Sequence, residues 1–298
     1  MTPPRGGASS KPMQGIAFMA LGMFIFSAVD TQAKYLTGSM HPLQIVWCRQ
    51  LGLLIGVIVL ISWRGPSVLR SALPWLQATR GFLAAGSATL FIFAVTYVPL
   101  ADAVAVSFVA PFIVTMMGAL VLGEKVGIRR WTAVVIGFLG TLVVIRPGTG
   151  VLHPAVFLVV AAASLFALRQ IASRALSAED PIETTVAYTA LVGSAVLTIP
   201  LAFVWEWPVS GQQYALLASI AVLAAMGEVM VIKALTVAQT VVVAPVQYSL
   251  LIWGTLYGWL VFGDFPDFWT WVGALIIVAT GVYTLRREHL AAKAQAGG

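Results

Sequence analysis

The stretch GEKVGIRRW, Gly123 to Trp131, sets the reading of this chain, because 140 positions later the sequence runs GDFPDFWTW, Gly263 to Trp271. Both place an acid directly after a glycine and a tryptophan eight residues after that glycine. The fillings are opposite in charge. The first carries Lys125, Arg129 and Arg130; the second has no cation and carries Asp264, Asp267 and additional aromatic rings. A segment repeated with its charge reversed needs a reason, and the solvent around the chain supplies one.

Of 298 residues, 60% are hydrophobic and 9% are charged, with a mean hydropathy of +0.94. Soluble domains carry about 25% charged residues. This chain cannot cover itself against water and is expected in a lipid bilayer. The single Cys48 excludes an intrachain disulfide and a cysteine metal site. The histidines at 41, 153 and 289 are scattered, so no metal or other cofactor is expected. The net charge of +6 and pI near 9.7 fit basic loops on one membrane face better than a nucleic-acid surface. After the lead-in MTPPRGGASSKPMQG, the first apolar run is long enough to span, so it is read as a retained helix and not a signal peptide.

A span needs about 20 mostly apolar residues. Turn signals divide the chain into ten candidates: 13–36, 43–63, 73–97, 101–122, 130–146, 154–176, 182–204, 212–235, 240–262 and 268–286. Proline and glycine punctuate the short connections, as at His41-Pro42, Gly65-Pro66, Asp180-Pro181 and Phe265-Pro266. The runs are continuous and not alternating, so the fold class is all-α integral membrane, without a barrel. Lys and Arg gather in the tails (1–12 and 287–298) and the even-numbered loops, while Lys34 and Arg146 stand at the edges of odd-numbered ones. Both termini are therefore expected in the cytoplasm. On that layout GEKVGIRRW is an inner loop and GDFPDFWTW an outer one.

Sliding the chain by 140 aligns 83–146 with 223–286 without a gap, and about fifteen of roughly 64 positions are identical. The matches include Thr115/Thr255, Gly118/Gly258, Gly123/Gly263, Trp131/Trp271 and Arg146/Arg286. Five spans per half is an odd number, so the second half enters from the opposite side. The expected architecture is two inverted five-helix repeats, 13–146 and 154–286, a plan found in many secondary transporters.

Two such halves, with Pro111 followed by FIVTMMGALVLG and Glu124, resemble the drug/metabolite transporter superfamily, EamA type. The second half departs from the pattern: Leu251 falls where Pro111 would, Asp264 replaces the Glu, and the helix proline is earlier, at Pro245. The aromatic lining described next is most similar to YddG-like aromatic amino-acid exporters. The resemblance implies export of amino acids and related metabolites across a bacterial inner membrane.

Ionisable groups inside spans cost at least about 2.5 kcal/mol each. At a rise of about 1.5 Å per residue, Asp30 and Arg49 lie at matching depth near the outer ends of spans 1 and 2. Arg169 and Glu228 match near the inner ends of spans 6 and 8. Two buried pairs, Asp30–Arg49 and Arg169–Glu228, are expected to flank a central cavity as gating or coupling groups, with Asp30 or Glu228 open to proton coupling. Lys34, four residues after Asp30, is the local alternative partner, and Arg80 is expected to snorkel. Spans 4 and 9 carry internal prolines, which free a carbonyl and kink a helix. Ser107, Phe108, Pro111, Phe112, Thr115, Pro245, Gln247, Tyr248, Trp253 and Tyr257 stand around those kinks as the expected substrate lining. The outer position of Trp253 and Tyr257 suits an interfacial belt equally well, which is also the reading for Trp47. Gly137, Gly140, Gly273 and Gly281 make spans 5 and 10 supports or a homodimer surface.

No Walker A loop, HExxH motif or nucleophile–base constellation occurs, which argues against ATP drive and against an enzyme. The functional expectation is alternating-access transport of a small molecule, with efflux of hydrophobic cations, or a receptor or scaffold role, as alternatives.

Overall fold

A computed structural model describes residues 12–121, 127–146, 153–176, 179–238 and 240–296, and among these the chain is helical without a strand. Glu124 and Lys125 lie outside the described residues, as do the side chains of Arg129 and Arg130. The helices are α1 (Pro12–Leu36), α2 (Pro42–Arg64), α3 (Pro74–Val95), α4 (Leu100–Ser107), α5 (Ala110–Val121), α6 (Ile128–Ile145), α7 (Val156–Leu176), α8 (Ile182–Leu201), α9 (Gly211–Val237), α10 (Thr240–Val243), α11 (Ser249–Tyr257) and α12 (Phe268–Ala296).

Seven helical stretches are long and apolar enough to cross a membrane, and one of them, Leu100–Ala119, runs through the break between α4 and α5. The shorter apolar helices Trp131–Ile145 and Phe268–Thr284 add two more crossings. The tenth crossing is assembled from α10, a 3-10 turn over Ala244–Tyr248, α11 and a π-type segment at Gly258–Phe262. Both broken spans carry the expected proline. Pro111 cannot donate to the carbonyl of Ser107, where α4 ends, and Pro245 sits in the 3-10 turn. Elsewhere proline starts helices: α2 opens on Pro42, with His41 Nδ1 accepting from the Leu43 amide at 3.3 Å, and α3 opens on Pro74.

The packing follows the repeat. α1 lies along α9 as α3 lies along α7; α2 crosses α9 as α8 crosses α3; α6 packs on α12, and α2 on α8. Small residues make these crossings close. A Cβ added at Gly52 would stand 1.8 Å from the Ala221 carbonyl oxygen, and one at Gly81 would stand 2.9 Å from Val192 Cβ. A shift of 140 carries Gly52 onto Val192 and Gly81 onto Ala221, so one crossing is built twice. Phe108 and Tyr248 are also equivalent, and their rings meet at 4.8 Å between the two broken spans.

The glycines of α6 and α12 are used within the chain: Gly137 takes the Phe112 ring, Gly281 takes the Tyr248 hydroxyl, and Gly140 lies against Ile276 and Gly273. What α6 turns outward is Val135, Ile136, Phe138 and Leu139, an apolar surface suited to lipid. We call the side where α1 begins the tail face and the opposite side the far face.

Candidate functional site

Asp30 lies about 9 Å along α1 from its far end, and Arg49 about 10 Å along α2 from its far end. The Arg49 Nη1 donates to Asp30 Oδ1 at 3.1 Å, with the side chains 23% and 10% exposed. The Phe26 ring lies 5.8 Å from the same guanidinium. Lys34 does not share this carboxylate. Its ammonium reaches away to Asp264 Oδ2 at 3.2 Å and to the Val98 carbonyl at 3.1 Å.

The tail half differs from expectation. Arg169, on α7, and Glu228, on α9, form no ion pair within the 4.0 Å limit among the described residues. The Arg169 guanidinium lies 4.6 Å from the Phe166 ring, and its buried Nε has no hydrogen-bond partner. The reason is packing: α9 rests on α1 and α2, while α7 rests on α3, α4 and α5. Arg80 does not snorkel. Its Nε donates to Ser173 Oγ of α7 at 2.7 Å, and its Nη1 donates to Thr189 Oγ1 of α8.

The residues around the proline breaks form a packed seam more than an open lining. Phe112 is buried against Gly137 and faces α6. Ser107 and Thr115 spend their hydroxyls on their own helix, donating to Val104 O at 2.7 Å and Pro111 O at 3.2 Å. Pro111 and Gln247 are exposed, Pro245 is half-buried, and Tyr248 is buried against Phe108. Trp253 and Tyr257 turn toward α1, where Phe24 meets them at 5.2 and 5.6 Å. Trp253 Nε1 is buried without a partner. Trp47 is not simply a belt residue: its Nε1 donates to Thr198 Oγ1 at 2.9 Å, joining α2 to α8.

Ties between the halves close both ends. On the far face, Lys34 holds Asp264, and Arg146 holds Asp267 at 2.5 Å. Burial alone would push the Asp267 carboxyl up, but hydrogen bonds from Thr270 and the Arg146 guanidinium hold it below the ordinary carboxylate value. Beneath them, Thr270 Oγ1 donates to the buried Asp102 at 2.9 Å. A cavity of about 360 Å³ opens between His41, Thr37, Phe93, Tyr97 and Glu206. On the tail face, Asp180 accepts from Ser71 Oγ at 2.5 Å, from the Ala72 amide at 2.9 Å and from Gln77 Nε2 at 2.8 Å. Arg64 pairs with Glu183 at 3.2 Å.

The family model of the EamA-like transporter family matches the chain twice, over residues 13–146 and 153–286. The chain belongs to the EamA-like transporter family. It is a multi-pass membrane protein of a transporter family and not an enzyme. An S-adenosylmethionine uptake transporter of Rickettsia felis is 26% identical over 94% of this chain and 95% of its own length. A riboflavin transporter of Vibrio cholerae is 29% identical, covering 93% and 94%. A pseudopaline exporter of Pseudomonas aeruginosa is 27% identical, covering 92% and 96%. A solved structure matches with a TM-score of 0.60 at 19% identity, covering 94% of this chain and 99% of that one, which supports the fold.

Within this EamA-like transporter, sequence reasoning missed Asp102, Phe26 and Phe166. Asp102 sits at the edge of its span, where an acid draws no notice. Phe26 and Phe166 are ordinary apolar positions until a guanidinium is seen over each ring.

Proposed function

We propose that this transporter exports amino-acid-like zwitterions, aromatic ones included, across the bacterial inner membrane by alternating access. The observation that carries the reading is a set of intramembrane charges: Asp30 closed on Arg49 within the first half, Arg80 bonded across to hydroxyls of the second half, and Arg169 and Glu228 of the second half without a side-chain hydrogen bond among the described residues. Ionisable groups in a bilayer are costly and mark a solute path. The cations of the tails and even loops support a cytoplasmic tail face. The carboxylate ties on each face then act as gates. Rocking of one half against the other releases one set while the other stays shut. Relatives are named for S-adenosylmethionine, riboflavin and pseudopaline, so the amino-acid class rests on the family resemblance and on the intramembrane charges. They are named for uptake and for export, so the outward direction rests on the family resemblance.

The test is counterflow in proteoliposomes of purified protein. The panel is phenylalanine, tyrosine, tryptophan, threonine, methionine, lysine and a hydrophobic cation dye, with and without a pH gradient. Selective exchange of amino acids is expected. Exchange of the dye alone would turn the reading to drug efflux, and exchange of nothing would end it.

A further inference from the structure

The far-face cavity has walls of one chemical kind. Its volume is about 360 Å³, inside the roughly 300–1,000 Å³ usual for small-molecule sites. Two helices end on it. Thr37 and Ser39 follow the last turn of α1, Thr96 and Tyr97 follow the last turn of α3, and all four line the cavity. The carboxyl end of a helix carries partial negative charge. The two threonine hydroxyls donate to their own helices, at the Lys34 carbonyl (2.7 Å) and the Ile92 carbonyl (3.2 Å), so their oxygens are left as acceptors. α2 begins at the same place, but Pro42 has no amide proton, and the Leu43 amide is taken by His41 Nδ1 at 3.3 Å. Phe93 and Tyr97 add two rings, one helical turn apart. A histidine braces each of them: His41 meets Phe93 at 5.5 Å and 80°, and His153 stacks on Tyr97 at 4.9 Å and 14°.

Glu206 joins this wall from the second half. Its main chain is fixed. The fully buried Gln44 side chain of α2 donates to the Glu206 carbonyl at 2.7 Å and accepts from the Glu206 amide at 3.3 Å. Its carboxylate is left open: among the described residues it accepts no hydrogen bond and forms no ion pair. The far-face cations are engaged elsewhere, Lys34 with Asp264 and Arg146 with Asp267. A surface carboxylate alone is ordinary. This one is pinned by a buried glutamine and shares a cavity with two rings and two helix carboxyl ends. We infer that the cavity binds an organic ammonium, with its charge on Glu206 and its apolar body against Phe93 and Tyr97. An anion would meet charge of its own sign there, and a neutral molecule would leave the carboxylate unanswered. The rings belong to the first half and the acid to the second, so the site is shared between the halves. The inference concerns binding and does not depend on the transport reading.

The experiment is isothermal titration calorimetry on the purified protein in detergent. The probes are phenethylamine, 2-phenylethanol, which carries a hydroxyl in place of the ammonium, and 3-phenylpropionate, which carries a carboxylate. An exposed carboxylate and two rings together should favour the amine over the alcohol about 10-fold, with the anion weaker still. Glu206→Gln should weaken the amine about fivefold and leave the alcohol unchanged. Tyr97→Leu should weaken the amine about threefold. Glu179→Gln removes an exposed carboxylate of the tail face and should alter neither. Glu206 and Tyr97 are both exposed, and Gln44 holds the main chain at 206, so the two variants keep the fold. Failure of the amine to bind, equal affinity of the wild type for amine and alcohol, or a Glu206→Gln variant that keeps the wild-type preference would each overturn the site. Counterflow is not part of the measurement, so a site that binds the amine stands even if no amino acid is exchanged, and a site that fails leaves the transport reading untouched.

Discussion

The Asp30–Arg49 pair allows the sharpest test of the charge assignment. Its atoms approach to 3.1 Å with side chains only 10% and 23% exposed. Breaking a buried pair by removing one partner costs roughly 3–5 kcal/mol, because the survivor stays buried and charged. Arg49 retains some exposure, so the lower end applies, and Asp30→Asn or Arg49→Gln should each destabilise by about 3 kcal/mol. Lys34 cannot rescue Arg49's absence, since it is held by Asp264 and the Val98 carbonyl. The double variant leaves two neutral amides that can bond to each other, so it should fall within about 1 kcal/mol of the wild type. The cycle therefore predicts a coupling of several kcal/mol, where independent sites add to within about 0.5 kcal/mol. Reversible unfolding in mixed micelles, followed by tryptophan fluorescence, measures all four proteins. Additive losses would refute the closed pair. A double variant that is stable yet fails in counterflow would place the pair in the transport cycle, whereas one that transports normally would make it structural.

Two further outcomes follow from single contacts. Gly52→Ala drives a methyl into the Ala221 backbone and should cost about 1–3 kcal/mol, while Gly56→Ala, one turn away with nothing within 4 Å, should be neutral or stabilising; thermal melts of the two variants in detergent compare them directly. Burial would raise the Asp180 carboxyl, but bonds from Ser71, the Ala72 amide and Gln77 outweigh it and hold the group below its ordinary value, so its stabilisation is complete above the unfolded value of about 3.9 and is lost as pH falls through the lower folded value. Wild type should thus exceed Asp180→Asn in stability at pH 7, and the gap should close in melts taken below about pH 4.

Much of the fold was legible because its causes are local or periodic. Apolar length, proline punctuation and the shift of 140 each act along the sequence. They sufficed for ten crossings and for the correspondence that the Gly52 and Gly81 contacts display. The site was legible only in height. A fixed rise per residue puts Asp30 level with Arg49 and Arg169 roughly level with Glu228. Level groups touch only if their helices turn those faces together, and that azimuth comes from packing. α1 and α2 present Asp30 and Arg49 to each other; α7 and α9 are packed on different partners and hold Arg169 and Glu228 apart. Arg80 was misjudged for the same reason. Its distance from the membrane boundary suggested snorkelling, but the hydroxyls that hold it belong to α7 and α8, far away in sequence. Phe112 looked like lining beside a proline kink, yet the missing side chain at Gly137 drew its ring the other way.

The reversed charge of the two related loops has a fuller explanation once these contacts are known. Topology is biased by Lys and Arg, and acids contribute little to it. A repeat whose loop moves to the far face must therefore shed its cations but is free to keep its acid. That accounts for the loss of Lys125, Arg129 and Arg130 in GDFPDFWTW and for the retained position of Asp264. It leaves Lys34 and Arg146 as exceptions, two cations at far-face helix ends. Those are the two residues that Asp264 and Asp267 hold, at 3.2 and 2.5 Å. Each exceptional cation of the first half is neutralised by an acid in the reversed loop of the second. The exceptions and the reversal are one feature: a far-face closure that lets the first half carry positive charge on the side where the proposed orientation disfavours it.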